Sequence, residues 1–205
     1  MWENSKVLCL CCLAGAFLAP SCRQMVEVVN VKQLAPQVVE CGKLPGNWYE
    51  YMPEYAPYFC LKTRYAIIYH DPEMQLGYWR ALHPEPPHRV LLEGRGNSLI
   101  IHRSFVWDGM SFGRTVPAEL LPSLLHDALY YARQGEAPFS RREADTAFLR
   151  ACKVSQCKGA YTAYISVRAF GGFFGTPPGG QPPRIELTSP ELSPAPLGPD
   201  AISGY

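Results

Sequence analysis

Ser123-Leu124-Leu125-His126-Asp127-Ala128-Leu129-Tyr130-Tyr131, followed after a short connection by Ser140-Arg141-Arg142-Glu143-Ala144-Asp145, combines helical periodicity with a concentration of polar groups. Leu124, Leu125, Ala128, Leu129 and Ala132 line one apolar face of a helix. Pro117 and Pro122 both suit first-turn positions, and Gly135 suits the stop. Ser140 and Glu143 match a capping box for a second helix. Ala144, Ala147, Phe148 and Ala151 then recur at the spacing of a buried stripe. A third helix is predicted from Lys158 to Phe170, stopping at Gly171-Gly172. Into these packed faces the chain sets His126, Asp127, Tyr130 and Asp145. A buried polar group without a partner costs roughly 1–3 kcal/mol. The four therefore predict either a mutually satisfied network or a site.

Upstream the period changes to two. Val26 to Val31, Arg64 to Tyr69, Arg89 to Glu93 and Ser98 to His102 are rich in β-branched and aromatic residues and read as strands. Gly94-Arg95-Gly96-Asn97 reads as a hairpin turn between two of them. The expected class is α+β, with a small irregular antiparallel β region followed by a helical hairpin and a third helix. Downstream of Thr176 the chain is dominated by Pro, Gly and Ser, and the composition predicts a disordered tail. The expected organisation is a signal peptide over 1–21, a β-rich, irregular extension over 22–63, a core domain over 64–174 and a Pro-rich tail over 175–205.

A net charge of +1 over 205 residues argues against nucleic-acid binding by bulk electrostatics, which needs a basic face. Lys6 precedes the apolar run Val7 to Ala19, too short for the ~20 residues that span a bilayer but suited to a signal-peptide core. Ala19-Pro20-Ser21-Cys22 resembles a bacterial lipoprotein cleavage box, in which Cys22 becomes the lipidated first residue. Export to the cell envelope, with membrane attachment through Cys22, or secretion, is the expected localisation. Cys41, Cys60, Cys152 and Cys157 would then remain in an oxidising compartment. Among their possible pairings the local one, Cys41–Cys60 with Cys152–Cys157, is favoured, because the second pair straddles a predicted helix–helix turn. In a reducing compartment the same residues serve as small buried hydrophobes.

Four motifs in order carry a resemblance: Asp108-Gly109-Met110-Ser111, Leu125-His126-Asp127-Ala128-Leu129-Tyr130, Arg142-Glu143-Ala144-Asp145 with Phe148, and Tyr164 to Gly171. Over residues 64 to 174 they resemble the phage- and bacteria-borne family catalogued as domain of unknown function 1353, a name that implies no activity. Met110 and Phe112-Gly113-Arg114 depart from that family's loop pattern. The helix pair is also similar, more loosely, to that of phospholipase A2. That resemblance implies a calcium-dependent hydrolase of lipid carboxylic esters. His126 would be the general base, Asp127 a calcium ligand, Asp145 the carboxylate that orients His126, and Tyr130 a hydrogen-bond partner of Asp145. Asp108, with Gly109 to Gly113, would contribute further oxygens, and Gly94 to Asn97 is a second candidate loop. The phospholipase calcium loop and its framing disulfides have no counterpart here.

Two readings therefore stand at the level of sequence. One is an exported metal-dependent hydrolase acting on a lipid or envelope substrate. The other is a non-catalytic envelope or phage-derived interaction protein whose His-Asp-Tyr-Asp quartet only locks two helices together. His83 and His88 lie in a Pro-rich loop, His70-Asp71 ends a strand, and His102 alternates outward; none is expected to carry chemistry. Trp48, Tyr49, Tyr51, Tyr55, Tyr58 and Phe59 read as a satellite core under a Pro-rich loop.

Overall fold

The computed structural model describes residues 25–30, 36–39, 48–52, 58–62, 65–110, 116–171 and 181–190. Residues 1–21, expected to be a signal peptide, Cys22, Cys41 and the loop residues 111–115 lie outside the described residues. The class is α+β, as the alternating and helical periods predict. The strands are β1 (Met25–Asn30), β2 (Pro36–Val39), β3 (Tyr49–Met52), β4 (Tyr58–Leu61), β5 (Tyr65–His70), β6 (Gly77–Leu82), β7 (Val90–Gly96), β8 (Ser98–Ile101), β9 (Val106–Trp107) and β10 (Arg184–Leu187). The helices α1 (Pro117–Gln134), α2 (Arg141–Val154) and α3 (Ala160–Phe170) lie between β9 and β10.

Seven strands form an antiparallel sheet in the order β10-β6-β7-β8-β5-β1-β2, and β3-β4-β9 form a second, smaller sheet. Register explains the inner face of the large sheet. Ile67 opposes Ile101, Tyr69 opposes Leu99, Leu92 opposes Ile101 and Ala81 opposes Leu92, so one apolar row crosses β5 to β8. That row and the α1 stripe Leu120, Leu121, Leu124, Leu125, Ala128 and Leu129 belong to one buried core. Trp79 opposes Gly94 in the same row, with its indole N–H donating to the Leu76 carbonyl at 2.8 Å. A Cβ at Gly94 would collide with that indole ring, so this glycine, expected in a hairpin turn, lies in β7 as a packing requirement.

The opposite face of the sheet carries a charged cluster that alternation alone does not reveal. Glu93 is nearly buried and opposes Ile100 on one side and Arg80 on the other. Its carboxylate accepts from Arg95 Nη2 at 2.8 Å, pairs with His102 Nε2 at 2.8 Å and lies 3.5 Å from Arg80 Nε. His102, expected to alternate outward without a role, is thus tied to a buried acid. Burial pushes the Glu93 carboxyl up, but the His102 and Arg95 contacts outweigh it and hold its pKa at about 2, against an ordinary 4.5. Because the folded value lies below the unfolded one, the contribution is complete above about pH 4.5 and is lost as the pH falls toward 2. Acid unfolding followed by circular dichroism should show this loss, on the order of 3 kcal/mol, and Glu93→Gln should remove it. An unchanged acid limb in that variant would sink the assignment.

Several local expectations change in three dimensions. Pro117 opens α1 at its first position, but Pro122 sits inside the helix rather than in a first turn. The helix continues through it because only one backbone donor is lost, the one that would meet the Ala118 carbonyl four residues back. Residues 184–187, assigned by composition to a disordered tail, form β10 on the edge of the large sheet. Leu187 pairs with Trp79 and Arg184 with Leu82 across β6, and Ile185 packs on the main core. A short alternating strand finding an open sheet edge overrides the Pro-rich composition around it. The 22–63 extension likewise crosses into the core domain's sheets, since β1 pairs with β5 and β4 with β9. Trp48 stacks on Trp107 with centroids 5.7 Å apart, which merges the expected satellite aromatics with the main core. Tyr55 and the Tyr58 side chain lie outside the described residues. Among the described residues no helix is long and apolar enough to cross a membrane.

Candidate functional site

The capping box at Ser140 is present as the sequence predicts: its side chain accepts from the Glu143 N–H, and Glu143 reaches back to the Ser140 N–H. This fixes the start of α2, and Asp145 falls one turn inside it on the face toward α1. There Asp145 is fully buried. Its Oδ1 accepts a 2.6 Å hydrogen bond from the Tyr130 hydroxyl and lies 3.4 Å from His126 Nε2. Its Oδ2 accepts from Arg168 Nη1 of α3 at 2.9 Å. Arg141 closes the arrangement: its Nε donates to the Tyr130 hydroxyl at 2.9 Å and its Nη2 to the Val167 and Arg168 carbonyls at 2.6 and 2.8 Å. One buried carboxylate thus joins all three helices. Burial raises the Asp145 pKa, but the hydrogen bonds from His126, Tyr130 and Arg168 outweigh it and hold the group ionised. Tyr130 is pushed well above the usual phenol range by burial and by its bond to that anion.

His126 lies one helical turn before Tyr130, its ring centroid 4.2 Å from the tyrosine ring and 4.9 Å from Phe148. Its Nδ1 lies 3.5 Å from Asp127 Oδ1. Burial alone would depress the imidazole, yet the contacts with Asp127 and Asp145 prevail and raise its pKa. Asp127 also faces Asp108, which directly follows β9. The two carboxyls meet, and burial followed by the Asp127 charge pushes Asp108 up to about 7. Asp127 Oδ2 is buried with no hydrogen-bond partner among the described residues.

The structure therefore brings together His126, Tyr130 and Asp145 on one side, and Asp127 and Asp108 on the other, with His126 bridging them. The alternative loop Gly94–Asn97 is engaged elsewhere: the Gly96 carbonyl accepts from Leu76 N–H and the Asn97 carbonyl from Asp71 N–H. The β7–β8 hairpin turns at Gly96–Asn97, while Gly94 and Arg95, expected in the turn, lie in β7 opposite Leu99 and Ser98. Cys60, Cys152 and Cys157 are free thiols, so the local disulfide expected at the second helix turn is not formed.

A cavity of about 330 Å³ opens beside the cluster. Met110, Phe148, Ala163 and Val167 supply its apolar wall, while Glu119, Ser123, His126 and Lys158 supply polar groups. Ser123 is not a free nucleophile: its hydroxyl donates to the Leu120 carbonyl at 2.9 Å and accepts from Trp107 Nε1 at 3.2 Å. Arg141, Arg168 and Lys158 were not singled out for the site by sequence. Arg168 lies in the fourth ordered motif and Arg141 inside the capping box, so the signal was present without its meaning.

A hard divalent cation would be held here by Asp108 and Asp127, whose paired carboxyls and partnerless Oδ2 suit an oxygen-seeking ion. Among the described residues no group of three His, Cys, Asp or Glu side chains is arranged to hold a metal, so further ligands would be backbone oxygens, water or substrate. Compared with protein-family models, with curated proteins and with solved structures, the chain matches none.

Proposed function

We propose that the protein is a hydrolase of carboxylic esters of lipids, assisted by a divalent cation, with calcium the expected ion. The observation that carries this reading is His126, held at Nε2 by a fully buried, ionised Asp145 and presenting its ring to a half-apolar cavity. With Asp145 keeping the proton on Nε2, Nδ1 is the atom that takes a proton from an attacking water. Tyr130 and Arg168 hold Asp145 in place, and Arg141 holds Tyr130. Met110, Phe148 and Val167 exclude water from the acyl side of the ester. A cation at Asp108 and Asp127 supplies polarisation of the ester carbonyl and stabilisation of the oxyanion. The resemblance of the helix pair to phospholipase A2 supports the substrate class. The apolar run and Cys22 support an exported, envelope-attached protein.

The second reading, a non-catalytic envelope or phage-derived protein, draws on a different observation: both ring nitrogens of His126 face carboxylates. Thermal unfolding with millimolar calcium and with chelator, beside Asp127→Asn and a phospholipid-ester hydrolysis assay, separates the two. A cation at a hundredfold excess over its Kd adds about 2.7 kcal/mol, a Tm rise on the order of 5–10 °C for a chain of this size. That rise should vanish in Asp127→Asn. No shift with calcium and no ester hydrolysis would leave the structural network as the function of the quartet.

A further inference from the structure

The turn between α2 and α3 closes in a specific way. Gln156 adopts a left-handed φ of 56°, its N–H meets the Lys153 carbonyl at 3.1 Å, and the Cys157 N–H meets the Cys152 carbonyl at 2.8 Å. Helix ends with this bond pattern bring the two outer residues into side-chain contact, usually an apolar one. Here both are cysteines, and they pack together in one apolar cluster with Phe148 and Val167. Cys152 is fully buried, whereas Cys157 is partly exposed. The Cys157 thiol also meets the Ala118 carbonyl at 3.2 Å. That carbonyl lacks its helical donor because Pro122 stands four residues later.

We propose that Cys157 and Cys152 form a thiol–disulfide exchange site for small-molecule disulfides, with Cys157 the attacking sulfur and Cys152 the resolving one. Interaction with the neighbouring Cys152 thiol holds the Cys157 thiol below its usual range, and the same interaction, with burial, pushes Cys152 above it. Exposure and acidity thus fall on the same sulfur. The Cys157 thiolate attacks one sulfur of the small disulfide, forming a mixed disulfide and expelling the other half as a thiolate. Cys152 gives up its proton, attacks the Cys157 sulfur and closes the Cys152–Cys157 bond, expelling the second half. The protein dithiol is oxidised by two electrons and the small disulfide is reduced by two. The contact geometry favours closure, since bridgeable cysteines need neighbouring α carbons, which the turn supplies.

The site sits on the cavity wall. Cys152 and Cys157 pack with Phe148 and Val167, and Lys158 and Gly159 follow directly as lining residues. Oxidation removes the Cys157 thiol donor from Ala118 and staples the turn that shapes that wall. None of this depends on the hydrolase reading.

The test uses the full reduced chain, incubated with oxidised glutathione, quenched in acid and digested with trypsin without reduction. Cleavage after Arg150, Lys153 and Lys158 puts Cys152 and Cys157 on separate peptides, so their bond appears in the mass spectrum as a linked pair. The expected result is that linked pair in the parent and glutathione retained on Cys157 in Cys152→Ser. The parent should form the pair about tenfold faster folded than in urea, because the fold sets both the contact and the acidity. Glutathione left on Cys157 of the parent, both thiols recovered free, or equal rates in urea would each overturn the proposal.

Discussion

Asp145→Ala is expected to lower the melting temperature by on the order of 10 °C, the largest stability loss of any single polar substitution in the helical half. The carboxylate is fully buried and accepts from Tyr130 and Arg168 while facing His126. Its removal strands three donors at once. Breaking a buried charged pair by deleting one partner costs about 3–5 kcal/mol, because the remaining charge keeps its desolvation without its counter-ion. At ~2–4 °C per kcal/mol for a chain of this length, the shift follows. Asp145→Asn keeps the volume and one acceptor oxygen for Tyr130, so it should recover part of the loss. Differential scanning calorimetry of the two variants beside the parent reads both numbers. A shift of only a degree or two for the alanine variant would mean that Asp145 does not hold the three helices together.

His126→Gln is expected to lower ester turnover by about 10²–10⁴, the usual contribution of a positioned general base. Glutamine places an amide N–H near the position of Nε2, where it can meet Asp145, but has no basic nitrogen to take a proton from water. The melting temperature should therefore move by only a few degrees while turnover collapses. The structural reading expects the reverse, a stability loss approaching that of Asp145→Ala with no activity to lose. Measuring phospholipid-ester hydrolysis and thermal unfolding on the same preparation puts the two readings on opposite outcomes. Retained turnover in a folded His126→Gln protein would exclude His126 as the base.

The pairing of His126 with Tyr130 was legible because four residues make one helical turn, whatever the helix packs on. The Ser140–Glu143 box and the Pro117 start were legible for the same reason, since a cap is closed by atoms within one turn of chain. Pro122 was misplaced because a proline inside a helix and one at its start look alike to a local rule. Arg168 reaches Asp145 across 23 positions, and Arg150 reaches Asp71 across 79, both through packing that no short window contains. The carboxyl contact of Asp108 with Asp127 has the same character: one follows a two-residue strand, the other lies on α1.

By itself the sequence determined the class, the helix starts and the main hydrophobic rows, because periodicity and caps act over a few residues. Only the tertiary structure decided that Ile185 joins the core from a Pro-rich segment and that Glu93 is caged by Arg80, Arg95 and His102. It also decided that one buried carboxylate ties three helices together beside a cavity. Those contacts depend on which faces meet, and the meeting is settled by the whole hydrophobic core rather than by any stretch of the chain.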